Sequence, residues 1–290
     1  MFNIIVSPYE IDSNAEKSTK KIVKYLKKEK VDYSIYFCTN LEDVPAHTQE
    51  VMSQGENEFV VVGDDRLIHK FINSFKDLSK IKLGIVPTSK HDDFANYLGL
   101  NTNPILAMKD ILSKNIKPVD VLVVNDSLVI DMLVIGASAE IFEIYNQYKL
   151  QFPLLEKITT KKYSTKYEGV ELSLEMDDKK AKNEHIFELI VANGGFSKGK
   201  NLSPLSNVSD GMFNLIYSTT PTKEFKKKIL KSYEIGTHIY NETTHQKWLT
   251  NLKIKNADNH IKALVDGEIV NFEELNISLI EQGLKLFRKP

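Results

Sequence analysis

Polar segments follow three short apolar runs in the first third of the chain. These segments are residues 7–8, residues 63–66 and residues 87–93. If the apolar runs are neighbouring parallel strands, the segments meet at the edge of the sheet where ligands bind in open α/β folds. The last two segments each precede a helical pattern, so their backbone N–H groups could receive an anion. Their aspartates favour two other interpretations, a bound metal ion or simple helix capping.

Three further triplets in the second half of the chain are typical of tight turns. They are Asn193-Gly194-Gly195, Ser209-Asp210-Gly211 and Asp266-Gly267-Glu268. Asp-Gly pairs are common in turns, where they supply the backbone angles that other residues avoid. Taken singly, each triplet therefore indicates a turn and needs no functional explanation.

The elements that position the first set of residues alternate between strand and helix. Continuous apolar runs, or alternation in the case of residues 33–37, predict strands, and an apolar stripe at helical spacing predicts the helices between them. Strands are predicted at residues 2–6, 33–37, 59–62 and 83–86, with helices at residues 13–30, up to 54, 67–75 and from about 91. This order predicts a parallel sheet covered by helices on both faces.

Beyond about residue 120 the pattern becomes mostly β, which places a domain boundary near residues 120–125. Strands are predicted at residues 121–124, 128–135, 170–175, 187–191, 213–217 and 261–265. Helices are predicted at residues 139–148 and 223–235. The stretch 152–167 is apolar and then lysine-rich, which favours a packed helix with a basic exposed face over a lid or a membrane-facing helix.

Composition excludes several classes of protein. The 38 Lys and Arg residues balance 39 Asp and Glu residues, and the net charge of −1 provides no basic field for nucleic acid. The single cysteine, Cys38, cannot form an internal disulfide, and no Cys/His spacing indicates a zinc site. No apolar run is long enough for a transmembrane helix. We therefore expect a cytoplasmic protein.

Two segments of the first half carry a resemblance to a known family. Residues 59–67, Phe-Val-Val-Val-Gly-Asp-Asp-Arg-Leu, resemble the strand and Gly-Gly-Asp-Gly-Thr loop of the diacylglycerol kinase catalytic-domain family, which includes bacterial lipid kinases. Residues 83–95, Leu-Gly-Ile-Val-Pro-Thr-Ser-Lys-His-Asp-Asp-Phe-Ala, are similar to that family's Leu-Gly-Ile-Ile-Pro-x-Gly-Thr-x-Asn-Asp-Phe-Ala. Shorter matches follow in the family's order at Val119-Asp120, residues 136–140, Asn193-Gly194, residues 202–204, residues 209–211 and residues 265–268.

The resemblance implies a fold of two domains. The first is an N-terminal α/β domain with a parallel sheet, related to NAD kinases, and the second is a C-terminal β-sandwich. We expect the α/β domain to cover residues 1–122, with a C-terminal return segment at 280–290. The β-sandwich, which would hold the lipid substrate, is expected at residues 123–279.

The resemblance also implies a set of nucleotide-contacting positions. They are Thr39, Val62, Gly63, Asp64, Asp65, Arg66, Leu67, Ile68 and Lys90. The family has Gly, Gly and Thr where this chain has Val62, Asp65 and Arg66. A glycine lets the backbone approach phosphates, whereas Asp65 adds a Cβ and a negative charge. Arg66 and Lys90 offer cations in place of the lost glycine-rich chemistry.

The residues for phosphoryl transfer match the family more fully. Glu268 stands at the position of the general base, which would take the proton from the acceptor hydroxyl. Asp210 matches the side-chain ligand of a structural Mg²⁺, and Asn207 and Met212 match companion positions that offer oxygen atoms. Asp64, Asp93 and Asp120 are family acidic positions of a water and metal network, although caps and turns also explain them.

These matches predict a kinase that uses ATP and Mg²⁺ to phosphorylate a hydroxyl of a diacylglycerol-like lipid at a membrane surface. Two alternatives remain. The degenerate loops favour a pseudokinase that serves as a lipid-binding or regulatory module, and the shared superfold allows an NAD or sphingoid-base kinase. The resemblance also implies a homodimer, peripheral to the membrane.

Overall fold

A computed structural model of the chain describes residues 1–8, 14–89, 92–149, 165–219 and 222–290. The internal contacts divide the chain into two compact units. Unit 1 comprises residues 1–121 and 280–290, and unit 2 comprises residues 122–279. Two predicted features lie outside the described residues, namely Lys90 and residues 152–164 of the expected basic helix.

A parallel sheet forms the centre of unit 1. Its strands run in the order β2-β1-β3-β4 and are β1 (Phe2–Val6), β2 (Tyr33–Phe37), β3 (Glu58–Val62) and β4 (Lys82–Val86). A return strand, β17 (Glu274–Phe287), adds in parallel to the free edge of β4 through Lys285 and Leu286. The sheet order places β1 between β2 and β3, so the connections from β1 and β3 diverge, which makes a topological switch point.

Amphipathic helices cover this sheet. They are α1 (Ala15–Glu29), α2 (Val44–Ser53), α3 (Asp65–Ile72), α4 (Asp93–Tyr97) and α5 (Pro104–Leu112). The α3 helix buries Leu67, Ile68, Phe71 and Ile72, the stripe that the sequence predicts. The α5 helix was not predicted, although Asn103 caps its start and Pro104 occupies its first position, both of which are typical helix-start signals.

Unit 2 is an antiparallel β structure. Its strands are β5 (Ile116–Val124, starting in unit 1), β6 (Ser127–Val129), β7 (Met132–Gly136), β8 (Val170–Met176), β9 (Lys182–Ala192), β10 (Phe196–Ser197), β11 (Lys200–Asn201), β12 (Phe213–Thr219), β13 (Thr244–Leu249), β14 (Leu252–Lys255), β15 (Ile261–Val265) and β16 (Glu268–Phe272). The main path runs β16-β15-β7-β9-β8-β14-β17, and β12 pairs with β9 and β13. Two helices, α6 (Ala137–Lys149) and α7 (Lys223–Glu234), accompany these strands.

Side chains on the two faces of the unit 2 strands enter separate cores. On β7, Leu133 and Ile135 join one apolar cluster, whereas Met132 and Val134 join another. The second cluster also receives Tyr233 of α7. This alternation is the normal consequence of a strand with both faces covered. The N-terminal α/β domain and the C-terminal β-sandwich, which together make up the expected fold class, are confirmed.

The predicted continuous strand 128–135 is wrong. The structure has β6 and β7 separated by a corner at Ile130 and Asp131. The carboxylate of Asp266 makes this corner, because it accepts the backbone N–H groups of Ile130, Asp131 and Met132 at 2.9–3.2 Å. An apolar run cannot reveal a bend whose hydrogen-bond acceptor lies more than 130 residues away.

Strands β13, β14 and β16 were not predicted from the sequence, and β17 was expected only as a return segment at 280–290. These strands are rich in polar and charged residues and are partly exposed, so their apolar content is too low to stand out. None of the described helices combines the length and apolar character needed to span a membrane.

Candidate functional site

The loop after β3 begins with a glycine that packing requires. A side chain at Gly63 would place its Cβ 2.8 Å from the Cβ of Ser7 and 2.9 Å from a methyl group of Leu67. The following residue, Asp64, caps α3, because its Oδ1 accepts the N–H of Leu67 at 3.3 Å. Its Oδ2 accepts hydrogen bonds from Arg66 at 2.8 Å (Nε) and 2.5 Å (Nη2). The only arginine of this loop is thus paired with a carboxylate of the same loop.

Asp65 links this loop to the next one. Its Oδ2 accepts the backbone N–H of Asp93 at 2.9 Å and that of Phe94 at 3.4 Å, the first two amides of α4. Amides at the start of a helix are favourable partners for negative charge. In this chain, a carboxylate of the protein itself takes up that role.

Asp92 likewise accepts backbone N–H groups, in this case within the loop after β4. Its Oδ2 accepts the backbone N–H of Thr88 at 2.7 Å and that of Ser89 at 3.0 Å. The residue is 4% exposed, so its side chain is held inside the loop. The amides of Thr88 and Ser89 therefore already bind a carboxylate oxygen.

The other expected nucleotide positions differ in their accessibility. Val62, Leu67 and Ile68 are fully buried. The N–H groups of Leu67 and Ile68 both donate to the backbone carbonyl of Asp64, as expected for a capped helix. Thr39 is exposed at the carboxyl end of β2, at the same sheet edge as the two loops.

The aspartates of the expected acidic network form hydrogen bonds that involve backbone amides. Asp65 places the first turn of α4, and with it Asp93, beside the loop that contains Asp64. Asp120 is fully buried, and its Oδ1 accepts the N–H of Gln282 at 2.7 Å. Gln282 has a φ of 50°, so Asp120 stabilises an unusual backbone turn in the return strand.

The catalytic candidate of unit 2, Glu268, is presented by a rigid turn. It is the first residue of β16, it is exposed, and it pairs across the hairpin with Val265. Asp266, two residues before it, is 4% exposed and holds the corner between β6 and β7 with its three hydrogen bonds. Asn193, directly after β9, holds the same corner, since its Nδ2 donates to the carbonyl of Ile130 at 2.9 Å.

The loop at 207–212 offers oxygen atoms to solvent. Oδ1 of Asn207 accepts the N–H of Ser209, and Oδ1 of Asp210 accepts the N–H of Met212, both at 3.2 Å. Asp210 is exposed, and a carboxylate with neighbouring carbonyls is a donor set that suits a hard cation such as Mg²⁺. Within the described ranges, no three His, Cys, Asp or Glu residues lie close enough to form a metal centre.

A further buried carboxyl group, that of Glu188 on β9, was not predicted from the sequence. It is 1% exposed, and its Oε2 accepts the backbone N–H of Ser138 at 2.8 Å. Burial raises the pKa of Glu188 to about 7, against the lowering effect of that hydrogen bond. Nearby elements line an open cavity of about 410 Å³, formed by Ala137, Glu140, Ile141, Lys166, Tyr167, Glu168 and Gly169.

Family models match both halves of the chain. Residues 2–124 match the diacylglycerol kinase catalytic domain, and residues 132–288 match the YegS C-terminal NAD kinase beta sandwich-like domain. The chain belongs to the YegS-like lipid kinase family. A curated relative, a diacylglycerol kinase of Bacillus subtilis, is 25% identical to this chain over 281 residues, which cover 91% of each chain.

Two solved structures have the same fold as this chain. A diacylglycerol kinase from Bacillus anthracis superposes with a TM-score of 0.76 at 18% identity, covering 100% of this chain and 97% of the other. An NAD kinase from Archaeoglobus fulgidus in complex with ATP superposes with a TM-score of 0.59 at 13% identity, covering 100% and 94%. At these identities the likeness concerns the fold alone.

Proposed function

We propose that this protein is an ATP-dependent kinase that transfers the γ-phosphate to the hydroxyl of a diacylglycerol-like lipid. Glu268 takes the proton of the hydroxyl, the resulting oxygen attacks the γ-phosphorus, and the bond to the β-phosphate oxygen breaks to release ADP. Atoms and charge balance because the proton ends on Glu268 and the phosphoryl group ends on the lipid. The names of the curated relatives support the lipid as substrate class.

The observation that carries this proposal is the setting of Glu268. A general base must be accessible and must hold its position while it accepts a proton. Glu268 is exposed, and the buried Asp266 carboxylate ties its turn to the neighbouring corner by three hydrogen bonds. This combination of an accessible carboxylate and a rigid support suits a catalytic group better than a plain surface turn.

ATP and Mg²⁺ are proposed as the phosphoryl donor and the accompanying cation. The nucleotide would contact the carboxyl ends of β1, β3 and β4, the normal ligand position in such a sheet. Asp210 and the nearby oxygen atoms would hold Mg²⁺, which supplies positive charge near its site when bound. The lipid would be presented at a membrane surface.

The test is phosphorylation of a lipid panel in mixed micelles with Mg²⁺ and γ-labelled ATP. We expect a labelled lipid from the wild-type protein, and we expect Glu268→Gln to lower kcat by ~10²- to 10⁴-fold, the range of general-base contributions. The matched control is Glu273→Gln, which alters an exposed glutamate just beyond the same strand and should leave kcat unchanged. Equal activity of the Glu268→Gln variant and the wild type would contradict the role of Glu268.

A second candidate function is a non-catalytic lipid-binding or regulatory module. The pairing of Asp65 and Asp92 with loop amides favours it, because phosphates lose those hydrogen-bond donors. A folded wild-type protein that yields no labelled lipid but binds lipid vesicles in a sedimentation assay would support this function instead.

A further inference from the structure

We propose that Asp65 and Asp92 are built-in competitors of the nucleotide phosphates. The two carboxylates cap the loop amides that phosphates would otherwise use, so ATP binds only by displacing them. This inference rests on the proposed kinase function, since it concerns the nucleotide site of that kinase, and it adds a mechanism that sets nucleotide affinity.

The location of the two carboxylates carries the first step of the argument. Asp65 follows β3 and Asp92 follows β4, two adjacent parallel strands whose carboxyl ends lie beside the switch point of the sheet. Ligands of open α/β sheets bind at this edge, and phosphates there are bound by backbone amides. The backbone amides of these two loops are therefore candidates for binding phosphates.

The second step is that carboxylate oxygens already bind these amides. Oδ2 of Asp65 accepts the N–H groups of Asp93 and Phe94, and Oδ2 of Asp92 accepts those of Thr88 and Ser89. The two distances at Asp92, 2.7 and 3.0 Å, and the first at Asp65, 2.9 Å, are those of well-formed N–H···O hydrogen bonds. A carboxylate thus takes the place that a phosphate oxygen would take.

The negative charge of the two carboxylates also opposes phosphate binding. A phosphate entering this edge meets two carboxylates at short range, and like charges in a partly buried site repel strongly. Arg66 could offset this repulsion only by giving up the two hydrogen bonds that it donates to Oδ2 of Asp64. The structure therefore stabilises the phosphate-free state of the loops.

The experiment measures binding of inorganic tripolyphosphate and of Mg-ATP to the full chain by isothermal titration calorimetry. Tripolyphosphate has no base or ribose, so it reports on the phosphate donors alone. We expect Asp65→Ala and Asp92→Ser each to tighten binding about tenfold or more, and the double variant to tighten it further. Ser is chosen at position 92 because it tolerates a helix N-cap position. The matched control is Asp32→Ala, which removes one exposed carboxylate elsewhere in unit 1 and should leave affinity unchanged.

The isosteric variants Asp65→Asn and Asp92→Asn keep an acceptor oxygen while removing the charge, so they test the inference if the shorter side chains destabilise the loops. Affinities within twofold of wild type in every folded variant would overturn the inference, as would an equal gain in the Asp32→Ala control.

Lipid phosphorylation by the same preparations separates this inference from the proposed function. Tighter tripolyphosphate binding without any labelled lipid would support the competitor role and count against the kinase. Labelled lipid from the wild type, with the same ATP dependence in all variants, would support the kinase and overturn the competitor role.

Discussion

The buried carboxyl groups of Asp266 and Glu188 in unit 2 differ in the number of hydrogen bonds that replace their lost hydration. Asp266 accepts three backbone N–H groups, which replace the water that a charged carboxylate loses on burial. Oε2 of Glu188 accepts the backbone N–H of Ser138. Its other oxygen, Oε1, has no hydrogen-bond partner among the described residues. Burial removes water from the charged form of Glu188, and this desolvation is the main cause of its raised pKa.

Glu188 should make stability depend on pH. Its pKa rises from an ordinary 4.5 to about 7 in the folded protein, so the folded state holds the proton more tightly than the unfolded chain. The resulting stabilisation is complete below pH 4.5 and is lost as the pH rises through 7, by up to about 3 kcal/mol. We expect Glu188→Gln to remove this dependence, so that its advantage over wild type grows between pH 5 and pH 8 in urea unfolding.

The difference in the free energy of unfolding between the wild type and Glu188→Gln reports on Glu188 alone. The buried imidazole of His238, whose pKa is lowered to about 4 by burial, is present in both and cancels in the difference. A constant difference in the free energy of unfolding across this pH range would show that Glu188 is ionised in the folded protein.

At the scale of elements, the corner between β6 and β7 is the structure that supports Glu268. Its hydrogen bonds come from two distant segments, the β15–β16 turn through Asp266 and the end of β9 through Asn193. Asp266 itself has a φ of 43°, a conformation that asparagine also tolerates. A change to asparagine therefore alters the hydrogen bonds and leaves the backbone unstrained.

We expect Asp266→Asn to destabilise the protein by about 2–4 kcal/mol, because an amide has one acceptor oxygen for three buried N–H donors. The midpoint of urea unfolding measures this effect. We also expect a lower kcat with an unchanged KM for ATP, since the turn that carries Glu268 loses its support.

Asp126→Asn is the matched control for this change. Asp126 is exposed in the adjacent turn between β5 and β6, so the same substitution there should change stability by less than about 0.5 kcal/mol. Similar unfolding midpoints for both variants would mean that Asp266 does not hold the corner.

At the scale of the whole molecule, the end of the chain completes the sheet of unit 1. The return strand adds to β4, and its last residues bury Leu284, Leu286 and Phe287. The ring of Phe287 meets that of Phe2 edge to face at 5.9 Å, and Asn115 donates its side-chain N–H to the carbonyl of Arg288 at 3.2 Å. The first and last strands of the chain thus share one apolar core.

Phe287→Ala should destabilise the protein by about 3–5 kcal/mol, the cost of removing a buried aromatic ring and leaving a cavity. Ile280→Ala provides the comparison, because Ile280 is 44% exposed on the same strand and its truncation should cost much less. Chemical unfolding of both variants measures the effect. A loss below about 1 kcal/mol at position 287 would show that the return strand contributes little to the core.

Much of the fold could be predicted because the signal is local. Strands β1, β3 and β4 are short apolar runs, β2 has an alternating pattern, and α3 carries its buried residues at helical spacing, so patterns within ten residues determine them. The order of family-like segments extended this prediction to the fold class and to the lipid kinase family. The polar strands β13 and β16 could not be predicted in this way, because many of their residues face solvent and the apolar pattern is lost.

The fold class, the family and the candidate residues follow from the amino-acid sequence, because periodicity, turn chemistry and short motifs depend on nearby residues. The hydrogen-bond partners of those residues follow only from the folded structure. That Asp65 caps α4 across 28 positions, and that Asp266 makes a corner at Ile130 across 136 positions, depends on which segments the folded chain brings together. Hydrogen bonds act over about 3 Å in space, and no local pattern encodes their distant partners.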